Sequence, residues 1–194
     1  MVLNAYGIKV EEKELYGKVI KAYGKSFKNI WNPTIAKLAC EYGINTSMYA
    51  LWPLFKKELL KRASSDFEKN PNNFNSNKYE NKNDEEKLPE PLKLAYQEMF
   101  RAIKKGCKVY YGDLTSDRIK KFLKEDYLIQ TSVKLNTLYQ GKKKAYHSIL
   151  LYGLTDNLIL FHDPYYGKEK TVEVTQLQKS ISDTGAYIIY KNLK

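Results

Sequence analysis

The feature that most constrains this chain is a change of hydrophobic period at Cys107. Ahead of it, apolar residues recur every three or four positions, the spacing that gives a helix one apolar face. Beyond it they alternate or run in short β-branched and aromatic stretches, the pattern of strands. Helices first and a mostly antiparallel sheet afterwards predict an α+β fold.

The first half carries clear punctuation. MVLNAYG reads as the last turns of a helix, with Gly7 as its stop. EEKELYGKVIKAYG sets Leu15, Val19, Ala22 and Tyr23 on one face and ends at Gly24. Asn32 and Pro33 open the next helix as N-cap and first-turn proline. Ile35, Leu38, Ala39 and Tyr42 are its expected buried stripe, and Gly43 its stop. A helix over 51–62 has Pro53 in its first turn, and PLKLAYQEMFRAIKKG spaces Leu92, Ala95, Met99 and Ile103 helically before Gly106. Between these two lies the stretch from Ser64 to Lys87, rich in asparagine and charge. It reads as a disordered or surface insertion within a single domain spanning 1–194.

In the second half, CKVYYG is a short strand and Asp117 to Leu123 a helix, with Ser116 as its cap; YLIQTSVKL is a strand. SILLYGL and LILFHDP, separated by Thr155, Asp156 and Asn157, read as a β-hairpin. TVEV and AYIIYKNL complete the strands, with a short segment from Val174 to Ile181 between them.

Composition narrows the function classes. No apolar run approaches the roughly eighteen residues of a membrane span, and two cysteines make no disulfide framework, which points to a reducing cytoplasm. The net charge of +11 admits two readings. One is attraction to nucleic acid, anionic lipid or acidic peptide. The other is a solvated surface, since the excess is mostly Lys, whereas phosphate and base readers lean on Arg forks.

The hairpin holds the chemistry. His147 enters its first strand and Asp163 leaves its second. A turn centred on Thr155 sets the two directly opposite; one centred on Asp156 makes them diagonal neighbours on one face. A slip by one residue would separate them. A carboxylate beside an imidazole fixes its tautomer and stabilises the imidazolium. The alternative is a strand-end histidine and an Asp-Pro turn starter with no shared task.

YHSILLYGLTDNLILFHDPYYG resembles the His-strand-hairpin-Asp-Pro segment of papain-like cysteine peptidases that process double-glycine leaders of bacteriocins. SDRIKKFLKEDYLIQTSVKL is similar to the helix and strand before that family's histidine, and MVLNAYGIKVEEKELYGKVI to its Leu-Asn-Tyr-Tyr-Gly-Ile stretch. His162 departs from the asparagine often found before Asp-Pro. The resemblance implies a papain-like fold, a peptide or protein substrate, His147 as catalytic base and Asp163 as its orienter, with no cofactor and no metal. It also implies a nucleophilic cysteine and an oxyanion-hole glutamine ahead of Met1.

Within the chain, Cys40 sits at the negative end of a helix dipole, which disfavours a thiolate. Cys107, flanked by Lys105 and Lys108, has nothing to bring it to the hairpin. Ser132 and Ser148 have no motif around them. His147, His162 and two distant cysteines match no zinc spacing, and no Gly-rich phosphate loop is present. Lys142, Lys143 and Lys144, just ahead of the hairpin, either draw an acidic peptide or form a solvated loop. Three functions are therefore expected in competition: a thiol-dependent peptide or acyl hydrolase, inactive without an upstream cysteine; a non-catalytic peptide-binding relative of it; and a basic nucleic-acid-associated protein.

Overall fold

The computed structural model describes residues 2–23, 32–50, 57–80, 90–142, 144–164, 166–181 and 186–191, and the chain divides into two compact units. The first comprises 1–47 and 55–109 together with residue 193; the second comprises 48–54, 110–192 and residue 194.

The first unit is helical. Helix α1 (Val2–Ala5) stops at Gly7, whose φ of 69° lets the Ile8 N–H reach back to the Leu3 carbonyl at 2.9 Å. Helix α2 (Glu12–Tyr23) buries Val19, and α3 (Asn32–Glu41) leads into strand β1 (Thr46–Ala50). Of the stripe read from sequence only Ala39 is fully inward: Ala36 and Ala39 are buried, whereas Ile35, Leu38 and Tyr42 are half-buried. Its partner is α6 (Glu90–Lys104), where Ala95 and Ala102 are also buried, and four small side chains let two helix backbones approach closely.

That approach is locked by a buried carboxylate. Glu98 of α6, fully buried, accepts from the Lys37 ammonium, from the Thr34 hydroxyl at 3.1 Å and from the Arg101 guanidinium at 3.0 Å. An unpaired buried carboxylate would be severely destabilising, so these donors are what allow a glutamate at this position.

The stretch read as a disordered or surface insertion carries helical elements within 64–80. Helix α4 (Lys57–Lys69) runs seven residues beyond the Arg62 end expected for it. It is followed by a 3-10 turn (Pro71–Asn73) and α5 (Asn77–Glu80). An aromatic ladder holds them: Phe67 meets Phe74 edge-on at 5.6 Å, Phe74 stacks on Tyr79 at 5.8 Å, and Tyr79 on Phe100 of α6 at 5.6 Å. The expected start of that helix, 51–56, and the rest of the insertion, 81–87, lie outside the described residues.

The second unit is built on a sheet in the order β2-β1-β7-β3-β4-β5-β6. After β2 (Lys108–Tyr111) come α7 (Ser116–Lys124), β3 (Leu128–Lys134), α8 (Leu135–Leu138), β4 (Tyr146–Thr155) and β5 (Leu158–Asp163). Then follow β6 (Lys168–Glu173), α9 (Val174–Ser180) and β7 (Ala186–Tyr190). The α+β class expected from sequence is what the chain adopts. The sheet as a whole is mixed, its antiparallel part being β7-β3-β4-β5-β6. The cap of α7 is Thr115, whose hydroxyl accepts from the Arg118 N–H at 3.4 Å; Ser116, expected in that role, is the first helical residue.

One face of the sheet is the core. Ile129 and Val133 of β3, Ile149 and Leu151 of β4, Ile159 and Phe161 of β5, and Ile189 of β7 alternate inward, covered by Ile119 and Leu123 of α7 and Leu177 of α9. Burying such aliphatic side chains contributes about 1.5–3 kcal/mol each. The site lies where this face runs out, at the Asp163 end of β5.

Candidate active site

β4 and β5 form the hairpin expected from sequence, with a two-residue turn at Asp156 and Asn157, where Asp156 takes a φ of 53°. Its register decides the site. Thr155 pairs with Leu158, and a regular ladder continued from there would set Leu150 opposite Asp163, leaving His147 on the other face. The ladder is not regular. Its register shifts between Leu151 and Gly153, so Tyr152 is one extra residue in β4 and Leu150 faces His162. This β-bulge returns His147 and Asp163 to the same face as diagonal neighbours, the geometry of the Asp156-centred alternative. Gly153 suits the place: a Cβ there would lie 2.9 Å from Leu160 Cδ1.

His147 continues the inward row of Ile149 and Leu151, and its ring meets the carboxylate of Asp163, Nε2 to Oδ1 at 2.8 Å. The imidazole is 21% exposed and Asp163 is fully buried, so solvent reaches the base and not its partner. A carboxylate only accepts, so a neutral His147 in this contact carries its proton on Nε2 and presents an unprotonated Nδ1.

Tyr139 completes the arrangement, and nothing in the sequence marked it. Its hydroxyl donates to Asp163 Oδ2. Burial, then the hydrogen bond to Asp163 and its negative charge, push the phenol well above its ordinary range, so it remains a donor at any physiological pH. A closed loop holds it there. The Leu135 N–H bonds the Ala145 carbonyl at 2.9 Å, the Gly141 N–H bonds Asn136 at 3.1 Å, and Gln176 of α9 donates to the Thr137 carbonyl. On the far side, the Lys170 ammonium lies 4.2 Å from the Tyr139 ring centre and 3.9 Å from that of Tyr166, which meets Tyr139 edge-on at 5.3 Å.

Asp163 is also a turn starter: the Gly167 N–H bonds its carbonyl at 3.0 Å. Ser132 and Ser148 pair with each other across β3 and β4, out of phase with His147, and neither is brought to the base. His162, adjacent to Asp163 in an alternating strand, faces away from the pair, and its Nδ1 is buried without a hydrogen-bond partner among the described residues. Lys142 and Lys144 are exposed, and Lys143 lies outside the described residues.

Cys40 and Cys107 both belong to the first unit, whereas His147, Asp163 and Tyr139 belong to the second. The Cys40 thiol is held below its ordinary pKa, chiefly by its interaction with Cys107 and further by Thr46, against burial and the charge of Glu41. Among the described residues no His, Cys, Asp and Glu side chains cluster in a way that could hold a metal ion, and no helix is long and apolar enough to cross a membrane.

No known protein family, curated protein or solved structure matches this chain.

Proposed function

We propose that the second unit is the base-bearing part of a thiol-dependent peptide or acyl hydrolase with a papain-like arrangement, as the resemblance to leader-processing peptidases implies. The observation that carries this reading is the 2.8 Å contact between His147 Nε2 and a fully buried Asp163. A solvated strand-end histidine needs no buried carboxylate, and a buried carboxylate needs a partner.

In this reading His147 Nδ1 takes the proton of an attacking thiol. The thiolate adds to the scissile carbonyl, and the imidazolium, stabilised by Asp163, returns the proton to the leaving amine. Water, deprotonated by the same nitrogen, then hydrolyses the thioester. Tyr139 shares the charge of Asp163 and fixes the carboxylate plane, acting on the base through Asp163. The proposal places the thiol ahead of Met1.

The test is labelling by a thiol-directed peptide inhibitor. A chain that includes the residues encoded ahead of Met1 should be labelled stoichiometrically, and His147→Ala should abolish the labelling. The chain of 194 residues should show no His147-dependent labelling. If the longer chain cleaves no peptide and takes no label while still binding peptide, the non-catalytic binding module replaces the hydrolase.

A further inference from the structure

The first unit brings together the only two cysteines in the sequence, sixty-seven positions apart. Helices α3 and α6 pack along one another and end in the same way. At the first, Gly43 takes a φ of 77° and the Ile44 N–H bonds the Ala39 carbonyl at 3.0 Å. At the second, Gly106 takes a φ of 91° and the Cys107 N–H bonds the Ala102 carbonyl at 3.0 Å. Cys40 lies in the last turn of α3 and Cys107 immediately beyond the stop of α6, so two like helix ends carry one thiol each to the same place.

The two ends lie side by side: the Lys105 ammonium meets the Glu41 carboxylate at 3.8 Å, next to the positions from which Cys107 and Cys40 interact. The two thiols differ in access: Cys40 is half-buried, whereas Cys107 is 2% exposed, its thiol also 3.6 Å from the Lys108 carbonyl oxygen. The more accessible thiol meets a dissolved oxidant first, and the thiolate is the nucleophile in thiol oxidation.

We propose that Cys40 and Cys107 are an oxidisable dithiol in which Cys40 reacts first with a hydroperoxide and Cys107 resolves it to an intramolecular disulfide. The Cys40 thiolate attacks one peroxide oxygen, the O–O bond breaks, and hydroxide leaves, giving a sulfenic acid. The Cys107 sulfur then displaces the sulfenic hydroxyl as water, its own proton completing that water, and the S–S bond forms. Two thiols lose two electrons and one hydrogen peroxide becomes two waters. The disulfide ties the end of α3 to the end of α6 and encloses α4 and α5 within one covalent loop. This site is independent of the hydrolase reading.

Treatment of the 194-residue chain with hydrogen peroxide, followed by intact-mass measurement, tests this. The monomer should lose the mass of two hydrogens, regain it with a dithiol reductant, and yield a non-reduced tryptic species joining the Cys40 and Cys107 peptides. In Cys107→Ser, a sulfenic acid should be trapped by dimedone at Cys40. In Cys40→Ser, dimedone should label Cys107 at least tenfold less at the same peroxide dose. Sulfinic acid at Cys40 in the wild-type chain, a disulfide only between chains, or equal trapping in the two variants would overturn the proposal.

Discussion

Replacing Tyr139 by Phe removes one hydroxyl and nothing else, so it isolates what the hydrogen bond to Asp163 contributes. The carboxylate is fully buried and takes donors on both oxygens, His147 at Oδ1 and Tyr139 at Oδ2. A hydrogen bond to a charged group is worth about 1.5–3 kcal/mol, and a buried oxygen stripped of its donor keeps the desolvation penalty. Tyr139→Phe should therefore lower the free energy of unfolding by about 2 kcal/mol at neutral pH. Asp163→Asn should cost a similar amount, because it removes the charge that both donors address. If the two residues act on each other, the double variant loses less than the sum, with a coupling of about 1–2 kcal/mol. Urea denaturation of the four proteins measures this directly. Additivity within about 0.5 kcal/mol would refute the reasoning, because independent sites behave that way.

Other outcomes follow from the same geometry. Gly153→Ala should cost only about 1 kcal/mol in thermal denaturation, because the atom it meets at 2.9 Å is the flexible end of Leu160. Gly153→Val should cost more, and equal losses would mean that the bulge is not what the site requires. Glu98→Ala should destabilise by about 3 kcal/mol or more, since it strands Lys37 at a helix interface, whereas Glu98→Gln should cost less. Alkaline unfolding should also carry a tyrosine signature. Burial pushes Tyr187 up to about 12, so its neutral form stabilises the fold fully below pH ~10, and that contribution drains away as pH rises towards 12. Tyr187→Phe should flatten the loss between those limits by about 2 kcal/mol, and an unchanged slope would contradict the assignment.

Much of the fold was legible because it rests on local pattern. Glycine stops at 7, 43 and 106 terminate helices where expected, and the switch of period at Cys107 marks where the strands begin apart from β1 (Thr46–Ala50), which precedes it and was not read. The nearness of His147 and Asp163 was legible too, as one of two turn alternatives. The bulge that secures it was not read, although a glycine inside a strand run, Gly153, was the available sign. What escaped the sequence depends on distant partners. Phe67 continues the helical spacing of Leu60 and Ala63, but Phe74 and Tyr79 extend no such row, so the stretch up to residue 80 looks unburied until Phe100 arrives from α6. Tyr139 reaches Asp163 only because the loop over 135–145 closes on itself, and Cys40 meets Cys107 only because two helices end alike.

The central claim is that Asp163 fixes the proton of His147 on Nε2 and leaves Nδ1 as the base. Long-range nitrogen–proton NMR of the imidazole, recorded where the ring is neutral, reads this without any substrate or nucleophile. With only two histidines in the sequence, His162→Gln makes the assignment unambiguous. The spectrum should show a protonated Nε2 and a bare Nδ1 at His147, and Asp163→Ala should release the ring to a mixture of tautomers. A wild-type ring protonated on Nδ1, or already mixed, would contradict the account.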